Sequence, residues 1–113
     1  MSDIKAISKA LIDFRNERNW EQFHNPKDLA LALSIEAAEL NELYLWKNHE
    51  EIQNVNQEKI REELADVFAY AFMLAEKYDL DVREIVLEKM KKNAKKYPVE
   101  KSRNLATKYT DLK

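Results

Sequence analysis

Apolar residues recur at helical spacing along most of the chain. Ile4, Ile7, Leu11 and Phe14 share one face of a first helix, capped by Ser2 and running to about Arg18. From Leu29 to Trp46 a longer helix is expected, on which Leu29, Leu33, Leu40 and Leu43 form one stripe at ~100° per residue. Pro26, after Asn25, suits the start of that helix. Ile60, Val67, Ala71 and Leu74 make the apolar face of a third helix from about Asn56 to Tyr78. Asp81 and Glu84 have capping-box spacing for a fourth helix, which stops at Tyr97 and Pro98. The period then fades, and residues 98–113 are expected to form an extended tail. An aromatic loop from Asn19 to Pro26 and a polar linker, NHEEIQNVNQ, separate the first three helices. The pattern predicts an all-α fold, a four-helix bundle protomer, with residues 1–113 as one domain.

The stripes are interrupted by acids. Glu36 projects from the middle of the second stripe, and Glu39 sits on its edge beside Ala32 and Trp46. On the third helix Glu63 and Asp66 lie within the apolar face, with Tyr70 beside them. A carboxylate turned toward a core costs several kcal/mol unless something compensates its charge. Each pair is spaced i and i+3, so its members lie within ~60° of each other. Short-linked helices pack antiparallel, which brings the two pairs together. Three things can neutralise such a cage: buried Lys or Arg partners, raised pKa values, or divalent cations. On the outside of the third helix Phe68, Phe72 and Met73 leave an apolar surface.

Composition narrows the chemistry. Glycine is absent from the 113 residues, which excludes a GxxxxGK[ST] loop and a GxGxxG turn, so phosphate would be held by a metal or by Lys, Arg and Asn side chains. Cysteine is absent too, which removes disulfides, thiolate metal sites and a Cys nucleophile. With only carboxylates as ligands, Mg²⁺ or Mn²⁺ is favoured over Zn²⁺ or copper. A di-iron bundle would need ExxH, and no His stands three residues after Glu36 or Glu63. Mg²⁺ keeps waters and commonly binds substrate phosphates, so the implied ligand is a phosphorylated molecule. A net charge of −2 makes no general case for nucleic-acid binding. No apolar run reaches ~20 residues and the N-terminus is an amphipathic helix with acids, so no membrane partner and a cytoplasmic location are expected.

Two other segments hold candidates. Trp20, Phe23 and His24 crowd the first loop, either as an aromatic plug closing the bundle end or as a stacking wall for a planar ligand. The fourth helix is basic, and Lys91, Lys92, Lys95 and Lys96 suit an ordinary solvated face. Lys89 and Asn93 differ, lying between Ile85 and Val86 on the inward arc. His49 belongs to the solvated linker.

The order Glu36-x-x-Glu39 followed by Glu63-x-x-Asp66 resembles the all-α nucleoside triphosphate pyrophosphohydrolases of the MazG-like superfamily. The segments RNERNWEQFHNPKDLALAL, ELYLWK, EELADVFAY and KMKKNAKKYPVEKSR, with KYTDL near the end, are similar to its dCTP pyrophosphatase branch. The resemblance implies that Glu36, Glu39, Glu63 and Asp66 bind Mg²⁺. It implies that Trp20, His24, Trp46 and Tyr70 shape the nucleobase and sugar pocket, while Lys89, Asn93 and Tyr97 contact the phosphates. Glu39 or Glu63 would orient or deprotonate the attacking water, and Lys89 would stabilise the departing pyrophosphate. The family usually forms a homotetramer built from dimers, which also suits a small protomer with apolar residues outside. There are two departures. Ile35 stands where the broader superfamily often has Glu, which argues against other branches; Lys96 stands where Arg is expected. A noncatalytic helical assembly module, its inward acids paired with bases, and a nucleotide-sensing relative remain as alternatives.

Overall fold

The computed structural model describes residues 2–113. Short polar side chains start its four longer helices. The Ser2 hydroxyl accepts from the Lys5 N–H at 3.2 Å to open α1 (Asp3–Glu17). Asn25 accepts from the Asp28 N–H at 2.9 Å to open α2 (Pro26–Glu42), with Pro26 in the first helical position, where its missing N–H costs nothing. Asn56 accepts from Lys59 N–H at 3.2 Å ahead of α3 (Gln57–Lys77). Asp81 accepts from Glu84 N–H at 2.9 Å ahead of α4 (Val82–Lys96). Each such cap satisfies one orphan donor and stabilises its helix by ~1 kcal/mol. Among the described residues there is no strand, as the all-α expectation requires.

The second helix ends earlier than its stripe suggests. After Glu42 the backbone tightens: Leu43, Tyr44 and Leu45 N–H groups donate to the carbonyls of Leu40, Asn41 and Glu42, three residues back. Trp46 then turns left-handed at φ 62°, which stops the helix where glycine would ordinarily do so. A bulky side chain in that region costs ~1–2 kcal/mol. In the linker that follows, Asn48 accepts from the Glu50 and Glu51 N–H groups and starts a 3₁₀ turn over Glu51–Asn54.

Contacts divide the described chain into two compact units, one up to Leu80 and one from Asp81. In the first unit α3 is the shared element, with α2 packed along it and α1 against it. Contact with two helices explains a difference from the sequence pattern. Met73, expected on the outside, is buried, as is Ala75, whereas Ile60, Val67, Ala71 and Leu74 are only half-buried. Leu29 is 1% exposed and anchors α2. Leu31 and Ile35 on α2, with Leu64 and Phe68 on α3, stay exposed.

The second unit holds α4, a single helical turn α5 (Val99–Ser102) and a 3₁₀ turn at Tyr109–Asp111. Pro98 breaks α4, and the Ser102 hydroxyl donates to the Pro98 carbonyl at 2.7 Å. Tyr109 meets Tyr97 edge-on at 5.9 Å, with Lys96 Nζ 4.6 Å from its ring centre. Elements this short have no apolar face of their own, so no periodicity announces them.

Candidate functional site

The packing of α2 on α3 places acid against acid. One oxygen each from Glu36, Glu39 and Glu63 lies within 4.8 Å of the others. Glu36 and Glu63 are half-buried, and an oxygen of each (Oε2) is fully buried without a hydrogen-bond partner. Burial first, then the adjoining carboxyls of Glu39 and Glu63, push Glu36 up to about 7, with the charge of Asp66 adding to the effect. Glu63 is raised for the same reasons, burial again leading, with Glu36 acting in the opposite sense. Among the described residues, no Lys or Arg forms an ion pair with Glu36, Glu39, Glu63 or Asp66. Buried bases therefore do not neutralise the cluster. An all-oxygen set with two orphaned buried oxygens suits a hard divalent cation, which needs several oxygen ligands and tolerates retained water.

Asp66 stands outside this trio. It lies one turn further along α3, ~4.5 Å along the axis from Glu63. It lines a cavity of ≈ 280 Å³ with Phe14, Arg15, Trp20, His24 and Tyr70. That volume is near the lower end of small-molecule pockets, about 300–1,000 Å³, and suits a planar ring. Trp20 packs edge-on to Phe14 at 5.9 Å and tilts toward His24 at 6.5 Å. His24 Nδ1 is buried without a partner, and burial first, then the charges of Arg15 and Lys77, lower its pKa and keep the ring neutral. Tyr70 is raised by burial and by the charges of Glu36, Asp66 and Glu39, so it stays a phenol. Asp66 thus connects the acid cluster to an aromatic chamber.

Arg15 is a residue that the sequence pattern did not single out. It is 3% exposed, on α1. Its Nη1 donates to Glu76 Oε2 at 3.3 Å, its Nη2 lies 3.7 Å from Glu21 Oε2, and its Nε donates to Asn16 Oδ1 at 3.1 Å. The available signal was its position four residues after Leu11, on the apolar face of the first helix.

The remaining candidates are distributed differently. Trp46 is 92% exposed and lies outside the cavity lining. Lys89 and Asn93 line a shallow apolar groove on α4 with Ile85, Val86 and Met90. Tyr97 caps the end of α4 and meets Tyr109 edge-on.

No helix among the described residues is long and apolar enough to cross a membrane. The MazG-like family profile matches residues 31–112. The dCTP pyrophosphatase 1 of Rattus norvegicus is 41% identical over 114 residues, covering 96% of this chain and 67% of that protein. Its Homo sapiens counterpart is 38% identical with the same coverage. Among solved structures, a pyrophosphatase from Archaeoglobus fulgidus superposes with a TM-score of 0.82 at 35% identity, covering 87% of this chain and 94% of that one. With helices, acid cluster and profile in agreement over most of its length, the chain belongs to the MazG-like family.

Proposed function

We propose that the protein hydrolyses a deoxynucleoside triphosphate, dCTP or a modified dCTP, to the monophosphate and pyrophosphate. The observation that carries this reading is the juxtaposition of three carboxylates, two with orphaned buried oxygens, and an aromatic cavity lined by Asp66, one helical turn from Glu63. The relatives named dCTP pyrophosphatase 1 support the reaction and the choice of base.

Glu36, Glu39, Glu63 and Asp66 are the residues to hold Mg²⁺, with Mn²⁺ as a substitute. When bound, the ion supplies charge neutralisation on the phosphate oxygens. Among the protein's own groups, Glu39 or Glu63 holds the attacking water and takes its proton as oxygen attacks the α-phosphorus in line. Trp20 stacks against the base in the cavity it shares with Tyr70, and His24 faces the base edge. A neutral imidazole with a free Nδ1 can accept or donate a hydrogen bond at the base edge, depending on its tautomer. A wrong base would leave that buried atom unpaired, which is how a pocket of this kind discriminates strongly. Lys89, Asn93 and Tyr97 are proposed to hold the phosphates, Lys89 offsetting charge on the departing pyrophosphate; their support is the family resemblance.

A panel of dNTPs and NTPs with Mg²⁺ or EDTA tests this directly. The expected result is metal-dependent release of pyrophosphate, fastest from dCTP, with His24→Ala lowering the preference for dCTP over dTTP by ~10-fold or more. Orthophosphate as the product would overturn the chemistry. An equal loss on every nucleotide in His24→Ala would overturn the pocket assignment.

The active assembly is proposed to be a homotetramer, a dimer of dimers. Leu31 and Ile35 on α2 and Leu64 and Phe68 on α3 are exposed apolar side chains that another copy can cover. Sedimentation at micromolar concentration should give four times the 13.4 kDa chain mass. A monomeric mass would leave these side chains without their proposed cover and sink the assembly.

A further inference from the structure

We propose that Arg15 is a positioning residue of the nucleobase pocket, joining the loop that bears Trp20 and His24 to α3 and so setting the gap between the pocket's two walls. This rests on the reading of the cavity as the base site.

One wall of the cavity is the loop after α1, with Trp20 and His24; the other is α3, with Asp66 and Tyr70. The loop has little structure of its own, a three-residue 3₁₀ turn over Glu21–Phe23. It begins with Asn19 in a left-handed conformation at φ 54°. What fixes it is Arg15. The Arg15 carbonyl accepts the Trp20 N–H at 3.1 Å, and its guanidinium pairs with Glu21, whose own carbonyl accepts the His24 N–H at 3.0 Å. The same guanidinium donates to Glu76 on α3. A second brace repeats the arrangement, as Lys77 on α3 donates to Glu21 at 3.4 Å. Glu21 is therefore gripped from α1 and from α3, between the two residues proposed to touch the base.

The choice of side chain fits positioning better than bulk stability. A buried guanidinium carries a desolvation cost that an apolar side chain of similar length would avoid. What the planar fork supplies is direction, with donors held at fixed angles toward two acids on different elements. Glu76 and Glu21 are themselves open to solvent, with side chains 40% and 60% exposed, so both hydrate readily if the arginine is lost.

The test compares Arg15→Met, Arg15→Lys, the surface variant Glu21→Gln and the Arg15→Met/Glu21→Gln pair. Arg15→Met should raise KM for dCTP ~10-fold and cut the dCTP over dTTP preference ~5-fold, with kcat changed less than ~3-fold. Arg15→Lys should recover only part of this, because it keeps the charge and loses the fork. Glu21→Gln should shift KM and preference in the same direction, and the pair should fall short of the product of the two single effects, because the Arg15–Glu21 contact is lost in both. If Arg15→Met fails to fold, Glu21→Gln decides. The proposal is overturned if Glu21→Gln has wild-type KM and base preference, or if the variants lose kcat equally on all nucleotides. A wild-type enzyme without base preference overturns the pocket reading itself, and this inference with it.

Discussion

Glu63→Gln is expected to lower kcat for dCTP hydrolysis by ~10³-fold or more while leaving the helical circular dichroism spectrum unchanged. The reason is local. Glu63 reaches from α3 into the carboxyls of Glu36 and Glu39 on α2, and its Oε2 is buried with no partner in the fold. The amide has nearly the same shape but replaces an anionic oxygen by an N–H donor. In the metal-free protein that donor faces two acids, so repulsion falls and the melting temperature should hold or rise. Toward a divalent cation and a water to be deprotonated, the same change removes charge where it is needed. Activity within tenfold of wild type would show that Glu63 neither holds the metal nor the water. A collapse of metal-free stability would show instead that the carboxylate is a structural acceptor.

The anomaly in the second stripe was legible because helical period and polarity conflict there. Glu36 falls among leucines, and only a compensating partner makes that tolerable. The caps at Ser2, Asn25, Asn56 and Asp81 were legible for the same kind of reason, each being a short polar side chain with a backbone donor in reach. Other features depend on information no stripe carries. Met73 is buried because α1 as well as α2 packs on α3, which widens its covered arc. The stop after Glu42 is made by i→i+3 bonds and a left-handed tryptophan, with neither glycine nor proline to announce it. Arg15 counts as polar in any pattern, yet its burial is set by Glu76, distant in sequence and adjacent in space. The i, i+3 rule placed Asp66 beside Glu63 on the helix face but was silent on the axial rise. That rise carries Asp66 from the acid trio to the cavity.

The pH dependence of stability should reveal the charge state of the acid cluster, with metal reversing it. Glu36 is raised from 4.5 to about 7 in the folded protein. Between those values the folded chain holds more protons at this site than the unfolded chain. Stability contributed by the site therefore falls as pH rises through that window, and the deficit is complete above 7. Glu63 is shifted in the same direction. Ordinary paired carboxylates elsewhere give the opposite slope, so the informative quantity is wild type minus Glu36→Gln. That difference in melting temperature, measured without metal, should become more negative from pH 5 to pH 8, by roughly 5 °C. A divalent cation needs the carboxylates ionised, so it competes with protons at pH 5 and relieves the repulsion at pH 8. Mg²⁺ should accordingly raise the wild-type melting temperature at pH 8, do little at pH 5, and do little to Glu36→Gln at either. A metal-free difference that grows more positive with pH would mean the acids are stabilised as anions by the protein itself, which would remove the reason for a metal there.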